Sequence, residues 1–226
     1  PELAPPKYPH NPYRIPRYGY SAIPRPPSPE HPFGLTEGQY DIYYGVIWGT
    51  RTAFRIGFIV VGSILVIGIV LGSVSGYYGG IVDEIIMRVV DTFMSLPTLV
   101  LAMALVTALG RSLDNVMKAL IIVGWPSYAR LIRGDILTVR EEGYVEAARA
   151  VGCSDLRVIL KHVLPNAIYP LLIMASLDIG AMVLTAAALS FLGLGAPVGY
   201  ADWGQMVSFA RNWIVGPPDN PLAYWY

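Results

Sequence analysis

The stretch IGFIVVGSILVIGIVLGSV, Ile56 to Val74, contains no charged residue. Its length is close to the ~20 residues that an α-helix, rising ~1.5 Å per residue, needs to cross ~30 Å of hydrocarbon. It predicts a membrane helix. The helix is expected to begin near Val46, because Arg51 and Arg55 lie four residues apart on one face and can extend their charged ends to the headgroups. Gly68, Gly72 and Gly76 recur every fourth residue, a stripe of small residues along which a second helix can approach closely.

Further apolar stretches follow. A second helix is expected over Thr92–Leu109, bent by Pro97, with Arg88 and Asp91 paired at its membrane edge. Between Lys118 and Arg130 only eleven uncharged residues, ALIIVGWPSYA, are available. They suggest a third segment that either spans or lies partly shielded at the interface. A fourth helix, from about Ala167 to Leu192, is apolar throughout except for Asp178, which at mid-membrane costs about 2.5–3.5 kcal/mol and so needs a partner or water. From Gly193 to Tyr226 the tryptophans Trp203 and Trp213 and the prolines Pro217, Pro218 and Pro221 indicate an interfacial loop with a short amphipathic helix. The terminal LAYWY reads as the start of a further helix.

Upstream, residues 1–45 hold 11 of the 19 prolines and lack apolar periodicity. They are expected to form an extended arm with no core of its own. The composition agrees with a membrane protein: 54 % of the residues are hydrophobic, 14 % are charged and the mean hydropathy is +0.48, too apolar for a soluble domain. With 16 basic and 16 acidic residues there is no bulk field to attract nucleic acid. One cysteine, Cys153, excludes an internal disulfide, and His10, His31 and His162 lack metal-ligand spacing. The chain starts at Pro1 and stops at Tyr226 in an aromatic stretch, so both ends are expected to continue.

Six basic residues lie between Arg130 and Lys161, against two, Arg111 and Lys118, in the preceding short loop. The positive-inside rule then puts the long loop, 130–166, and the Gly76 to Arg88 turn in the cytoplasm. The arm and the loop 193–226 fall outside. Within the long loop Tyr144–Pro165 reads YVEAARAVGCSDLRVILKHVLP. Good helix formers precede Gly152, which tolerates the positive φ of a turn. Ser154 then sits as an N-cap and Asp155 in the first turn of a second helix, which Pro165 is expected to end. A connector needs only a few residues, so a polar helix, turn, helix element of this length reads as a docking element, or else as a hairpin on the lipid surface.

The run Glu146, Ala147, Ala148, then Gly152 and later Leu164 and Pro165, resembles the EAA loop of binding-protein-dependent ABC permeases, and Tyr144 opens the same loop. Other segments resemble the dipeptide, oligopeptide and nickel branch: HPFG at His31, GTR at Gly49, MRVVDTFMSLP from Met87, WPSYARLIRGDIL from Trp125, and LSFLGLG from Leu189. After HPFG this chain reads Leu35 to Asp41 where members often show TDxxGRD, which weakens any role carried over to that segment. The resemblance implies an all-α type I importer transmembrane domain of six helices, about four of them complete here, over residues 46–226. It also implies that the EAA loop is the coupling helix, which inserts into a cleft of the nucleotide-binding subunit. The expected partners are a homologous second permease, two ABC ATPase subunits, an extracytoplasmic solute-binding protein and the lipid of a prokaryotic plasma (inner) membrane.

No G-x-x-x-x-G-K-[ST] phosphate loop occurs, so ATP and Mg are expected to be bound by the partner ATPases, and no cofactor by this chain. Glu146 is the first candidate for an ATPase contact, by pairing with a basic residue. Asp178 is a candidate for the translocation path. The chief rival is an ion-coupled secondary transporter using Asp178. An intramembrane hydrolase lacks H-E-x-x-H and G-x-S-x-G. The cargo stays open among dipeptides, longer peptides, nickel and oligosaccharides.

Overall fold

The computed structural model describes residues 3–215, which form helices and irregular segments; isolated β-bridges replace strands among the described residues. Helix α1 runs from Ile42 to Tyr78 and contains the whole of the Ile56 to Val74 stretch. It starts where Asp41 caps it: Oδ1 accepts the amide of Tyr44 at 2.9 Å, and Oδ2 is held by His31 Nδ1 at 2.7 Å. Then come α2 (Gly80–Met94), α3 (Thr98–Leu109), α4 (Leu113–Val139), α5 (Gly143–Ala150), α6 (Asp155–Val158), a π-helical turn (Ile159–Val163), α7 (Leu164–Ala167), α8 (Tyr169–Phe191) and α9 (Trp203–Val215).

Among the described residues α1 and α8 are long and apolar enough to cross a bilayer, and α2 with α3 passes as a third span if the bent pair is taken as one. The remaining expected span lies within α4. Its 27 residues are long enough, but Asp114, Lys118, Arg130, Arg133 and Asp135 make it less apolar than the others. The chain divides into two compact units, Pro1–Gly57 with Val106–Met117 and Val183–Tyr226, and Phe58–Leu105 with Lys118–Met182.

In the second unit the glycine stripe seats α4 against α1. A β-carbon at Gly68 or Gly72 would overlap Tyr128, Ala129 or Ile132, and one at Gly76 would lie 3.0 Å from the Arg133 carbonyl and the Ile136 side chain. Such close approach brings backbones into van der Waals contact, which is what drives association where no water is displaced. The expected second helix is corrected here. It begins at Gly80 instead of Thr92, and the turn expected from Gly76 to Arg88 shrinks to Gly79. The helix axis then bends by 90° at Ser95 to Pro97, because proline disfavours the helical conformation in Leu96 and offers no amide of its own. Arg88 does not pair with Asp91: it binds Glu84 one turn back at 3.2 Å, and Asp91 is taken by Arg130 of α4.

In the first unit the arm is not coreless, contrary to expectation. Ala4, Ile15, Tyr44, Trp48 and Ala201 are buried together. Tyr13 stacks on Tyr200 at 5.5 Å and meets Trp48 edge-on at 5.6 Å. Prolines remove many amide donors, so the arm relies on the groups left to it. The amide of Ile15 donates to Gly199 O, that of Ala201 to Tyr13 O, and Trp48 Nε1 to Ala4 O. Apolar periodicity misses such a core because ring faces and backbone carbonyls build it, with no repeating side-chain stripe. Arg51 lies over the Trp48 ring and Arg55 reaches Asp114 at 3.3 Å.

The short amphipathic helix expected after Gly193 is α9. Asp202 precedes it, with the amides of Gly204 and Gln205 and the Ser190 hydroxyl against its carboxyl, and burial pushes that carboxyl above the usual carboxylate range. Pro217, Pro218, Pro221 and LAYWY lie outside the described residues.

Candidate functional site

The connector between α4 and α8 begins later than expected. Arg130 to Val139 continue α4, so the loop given as 130–166 is a hairpin from Arg140 to Ala167. Its first arm is α5. Gly152 has φ +83° with open space where a side chain would stand, so the turn requires glycine for backbone conformation alone. Ser154 occupies the N-cap position in extended conformation but makes no side-chain capping bond. The carboxylate of Asp155 instead accepts the Tyr77 hydroxyl at 2.9 Å.

Pro165 does not end the second arm. The backbone widens into the π-turn Ile159–Val163 and resumes as α7 with Pro165 in its first turn. A proline inside an α-helix clashes with the carbonyl four residues earlier and leaves it unpaired. The wider turn moves that carbonyl away from the ring, so the chain continues in helical form to Ala167.

The hairpin has an inner and an outer face. Val145, Ala148, Val158, Ile159, Val163 and Ala167 are buried with Tyr77, Ile132, Ile136 and Leu171, and Leu164 packs against the same cluster. Outward stand Tyr144, Glu146, Ala147, Pro165 and three apolar side chains that sequence reading passed over: Val151, Leu156 and Leu160, exposed by 80 %, 66 % and 54 %. Of the motif residues, then, Ala148 and Leu164 face the interior of the unit. Tyr144, Glu146 and Ala147 are available to a partner, and Gly152 shapes the tip between the two arms. A hydropathy pattern signals Val151, Leu156 and Leu160 only once the phase of α5 and α6 is known.

A set of charged and polar contacts surrounds the base of this hairpin. Arg140 donates to Gly76 O at 2.7 Å. Arg149 lies over the Tyr77 ring, 5.1 Å from its centre. Arg133 grips Asp83 through Nε and Nη2 at 2.6 and 2.5 Å, and Ser75 Oγ donates to the same carboxylate. Such paired, two-pronged contacts are strong and set direction as well as distance. The arginines counted as cytoplasmic charge are therefore also structural ties.

Asp178, on α8, accepts the Tyr128 hydroxyl at 2.9 Å, so the mid-helix carboxylate has a partner within its own chain. Cys153 is free and half-buried, and among the described residues no group of three or more His, Cys, Asp or Glu side chains is placed to hold a metal.

Comparison with known proteins agrees with this architecture. The family described as binding-protein-dependent transport system inner membrane component matches residues 68–219. The dipeptide transport system permease protein of Alkalihalophilus pseudofirmus is 40 % identical over 192 residues, which cover 85 % of this chain and 63 % of that protein. The oligopeptide transport system permease protein of Bacillus subtilis is 36 % identical over 197 residues, covering 85 % of this chain and 65 % of the relative. The chain thus spans a little under two-thirds of the length of these relatives. Among solved structures, the methionine ABC transporter MetNI in an inward-facing conformation shares the fold, with a TM-score of 0.63 at 20 % identity over 77 % of this chain and 84 % of that one. On the match over residues 68–219 and the identity to these relatives, the chain belongs to the family of binding-protein-dependent transport system inner membrane components.

Proposed function

We propose that this chain is a permease subunit of an ATP-driven ABC importer. With a homologous second permease it would line the path for di- and oligopeptides delivered by an external solute-binding protein. Two ABC ATPase subunits bind and hydrolyse ATP, with Mg, from the cytoplasmic side, and this chain performs no chemistry. The relatives named for dipeptide and oligopeptide transport support the cargo class; nickel or oligosaccharides are the alternatives within the same machinery.

The observation that carries the reading is the two-faced hairpin Arg140 to Ala167. Its inner face is locked into the unit. Its outer face offers Tyr144, Glu146, Val151, Leu156 and Leu160, an apolar patch with one carboxylate, to a partner. Three large aliphatic side chains exposed between Arg140 and Ala167 favour a surface made for a partner. A lipid-surface hairpin would expose the same apolar groups, and the mutants below separate the two. ATP-driven closure of the ATPase pair would move this hairpin and switch the helices between inward-open and outward-open states. Asp178, tied to Tyr128, would stand on the path only in a state that breaks that bond.

The test is Glu146→Lys and Gly152→Trp in the assembled transporter reconstituted with its ATPases. Both variants are expected to insert normally and to hydrolyse ATP with uptake lost. ATP-dependent uptake at the parental rate in both would overturn the docking role, and uptake that follows an ion gradient without ATP would favour a secondary transporter.

A further inference from the structure

The residues around the base of the hairpin form more than a generic packing surface. The last turn of α1 carries Ser75, Gly76 and Tyr77, and after it the chain turns through Gly79 and Gly80, at φ +67° and +55°. Two successive residues in that region are available only because neither has a side chain. This elbow is tied to the hairpin from both ends of the first arm. Arg140, just before α5, bonds Gly76 O; Arg149, near the end of α5, covers the Tyr77 ring; and Asp155, at the start of the second arm, accepts the Tyr77 hydroxyl. On the far side of the elbow Asp83, in the first turn of α2, is held by Arg133 and by Ser75. The α1–α2 junction is thus fastened to a segment more than sixty residues later in the chain.

We infer that Tyr77 and Asp155 are positioning residues that make the hairpin and the α1–α2 elbow move as one body. The inference rests on the importer reading above and adds to it the route by which displacement of the hairpin reaches the membrane helices. The hairpin is joined covalently to α4 and α8, and α4 holds the elbow through Arg133 and Ile136, but neither of those contacts reaches the second arm of the hairpin. The elbow is held by side chains, and among them the Tyr77 hydroxyl links residues from both arms, since its ring lies under Arg149 of the first and its oxygen reaches Asp155 of the second. Removing that one hydroxyl leaves the buried ring and its packing in place and cuts the tie to the second arm.

The test places nitroxide labels on Ser154→Cys, at the hairpin tip, and Ile81→Cys, at the elbow, both exposed, with Cys153→Ser as background. The assembled transporter, in lipid nanodiscs with its ATPases, is measured by double electron–electron resonance without nucleotide and after trapping with ATP and vanadate. The parent is expected to give one narrow distance, the same in both states. Tyr77→Phe and Asp155→Ala are expected to broaden it without nucleotide and to add a second distance after trapping. They should also raise the ATP hydrolysed per Ala-Ala imported roughly fivefold or more. Asp155→Asn, which keeps the acceptor oxygen, should behave as the parent.

An unchanged narrow distance in Tyr77→Phe in both states overturns the inference, and so does an Asp155→Asn that behaves like Asp155→Ala. A loss of assembly alone would lower hydrolysis and uptake in proportion, leaving their ratio at the parental value, and that outcome too would count against positioning. The nucleotide-free distance does not involve ATP, so a parent that imports Ala-Ala without hydrolysing ATP would sink the importer reading and still leave the fastening testable.

Discussion

The hairpin Arg140 to Ala167 and the N-terminal arm are both polar, irregular stretches attached to long apolar helices, and they are held in opposite ways. The hairpin places small and branched side chains at helical spacing on its inner face, Val145 with Ala148 and Val158 with Ile159 and Val163, and then adds polar and charged ties to Gly76 and Tyr77. Among its described residues the arm has no helix before Ile42, and its prolines leave it fewer amides. It is held by ring faces, Tyr13 against Trp48 and Tyr200, by backbone amides donating to the Gly199 and Tyr13 carbonyls, and by the Trp48 indole donating to Ala4 O. Where a segment forms helix, its fixing points repeat and can be lost one at a time. Where it does not, a few large rings hold most of it, and each matters more.

The strongest way to break this contrast is Trp48→Ala. Trp48 is 4 % exposed and touches Tyr13, Tyr44, Arg51 and the Ala4 carbonyl. Truncating a buried aromatic of this size is expected to cost about 3–5 kcal/mol. Protease cleavage of the arm should rise sharply, with the hairpin still protected. Equal protection of the arm in mutant and parent would show that the rings are not what holds it.

A smaller effect is expected for Asp83→Ala, which leaves the Arg133 guanidinium without its two-pronged partner in a half-buried place. About 2–3 kcal/mol should be lost from thermal unfolding in detergent, and hydrogen exchange should quicken around Gly76 to Gly80 with the arm unaffected. A change confined to the arm would contradict the assignment.

The smallest effect concerns pH. Burial raises the Asp202 carboxyl above its ordinary value, so the folded state holds that proton more tightly than the unfolded one. The resulting stabilisation is complete below the unfolded pKa of ~3.9 and is lost as pH rises through the folded value. Acidification from neutrality should therefore strengthen the parent slightly relative to Asp202→Asn. The difference in melting temperature between the two as a function of pH reports it, and a difference that shrinks toward neutral pH has the expected sign only if the parent is the more stable at low pH.

Much of the architecture was legible in residue order. The uncharged run Ile56 to Val74 lies wholly within α1, the glycines at every fourth position face another helix, and Gly152 takes the positive φ that a turn requires. What was not legible depended on partners distant in the chain. Arg130 and Arg133 look like loop charges until Asp91 and Asp83 are seen across from them, and this is why α4 extends ten residues past the expected end of its apolar part. Pro165 reads as a stop because nothing local announces the π-turn that accommodates it. At the hairpin, Glu146 and Gly152 were identified by motif, but the split between inward Ala148 and outward Val151, Leu156 and Leu160 follows only from the packing of the second unit.

The glycine stripe of α1 has a mechanical corollary. Tyr128, Ala129, Ile132 and Ile136 occupy notches cut at Gly68, Gly72 and Gly76. Gliding of one helix along the other would carry these side chains out of their notches, and the next notch lies about 6 Å away, four residues of α-helix. Whatever strokes this molecule makes, the pair can take them only as a clicked step or as a single rigid rod.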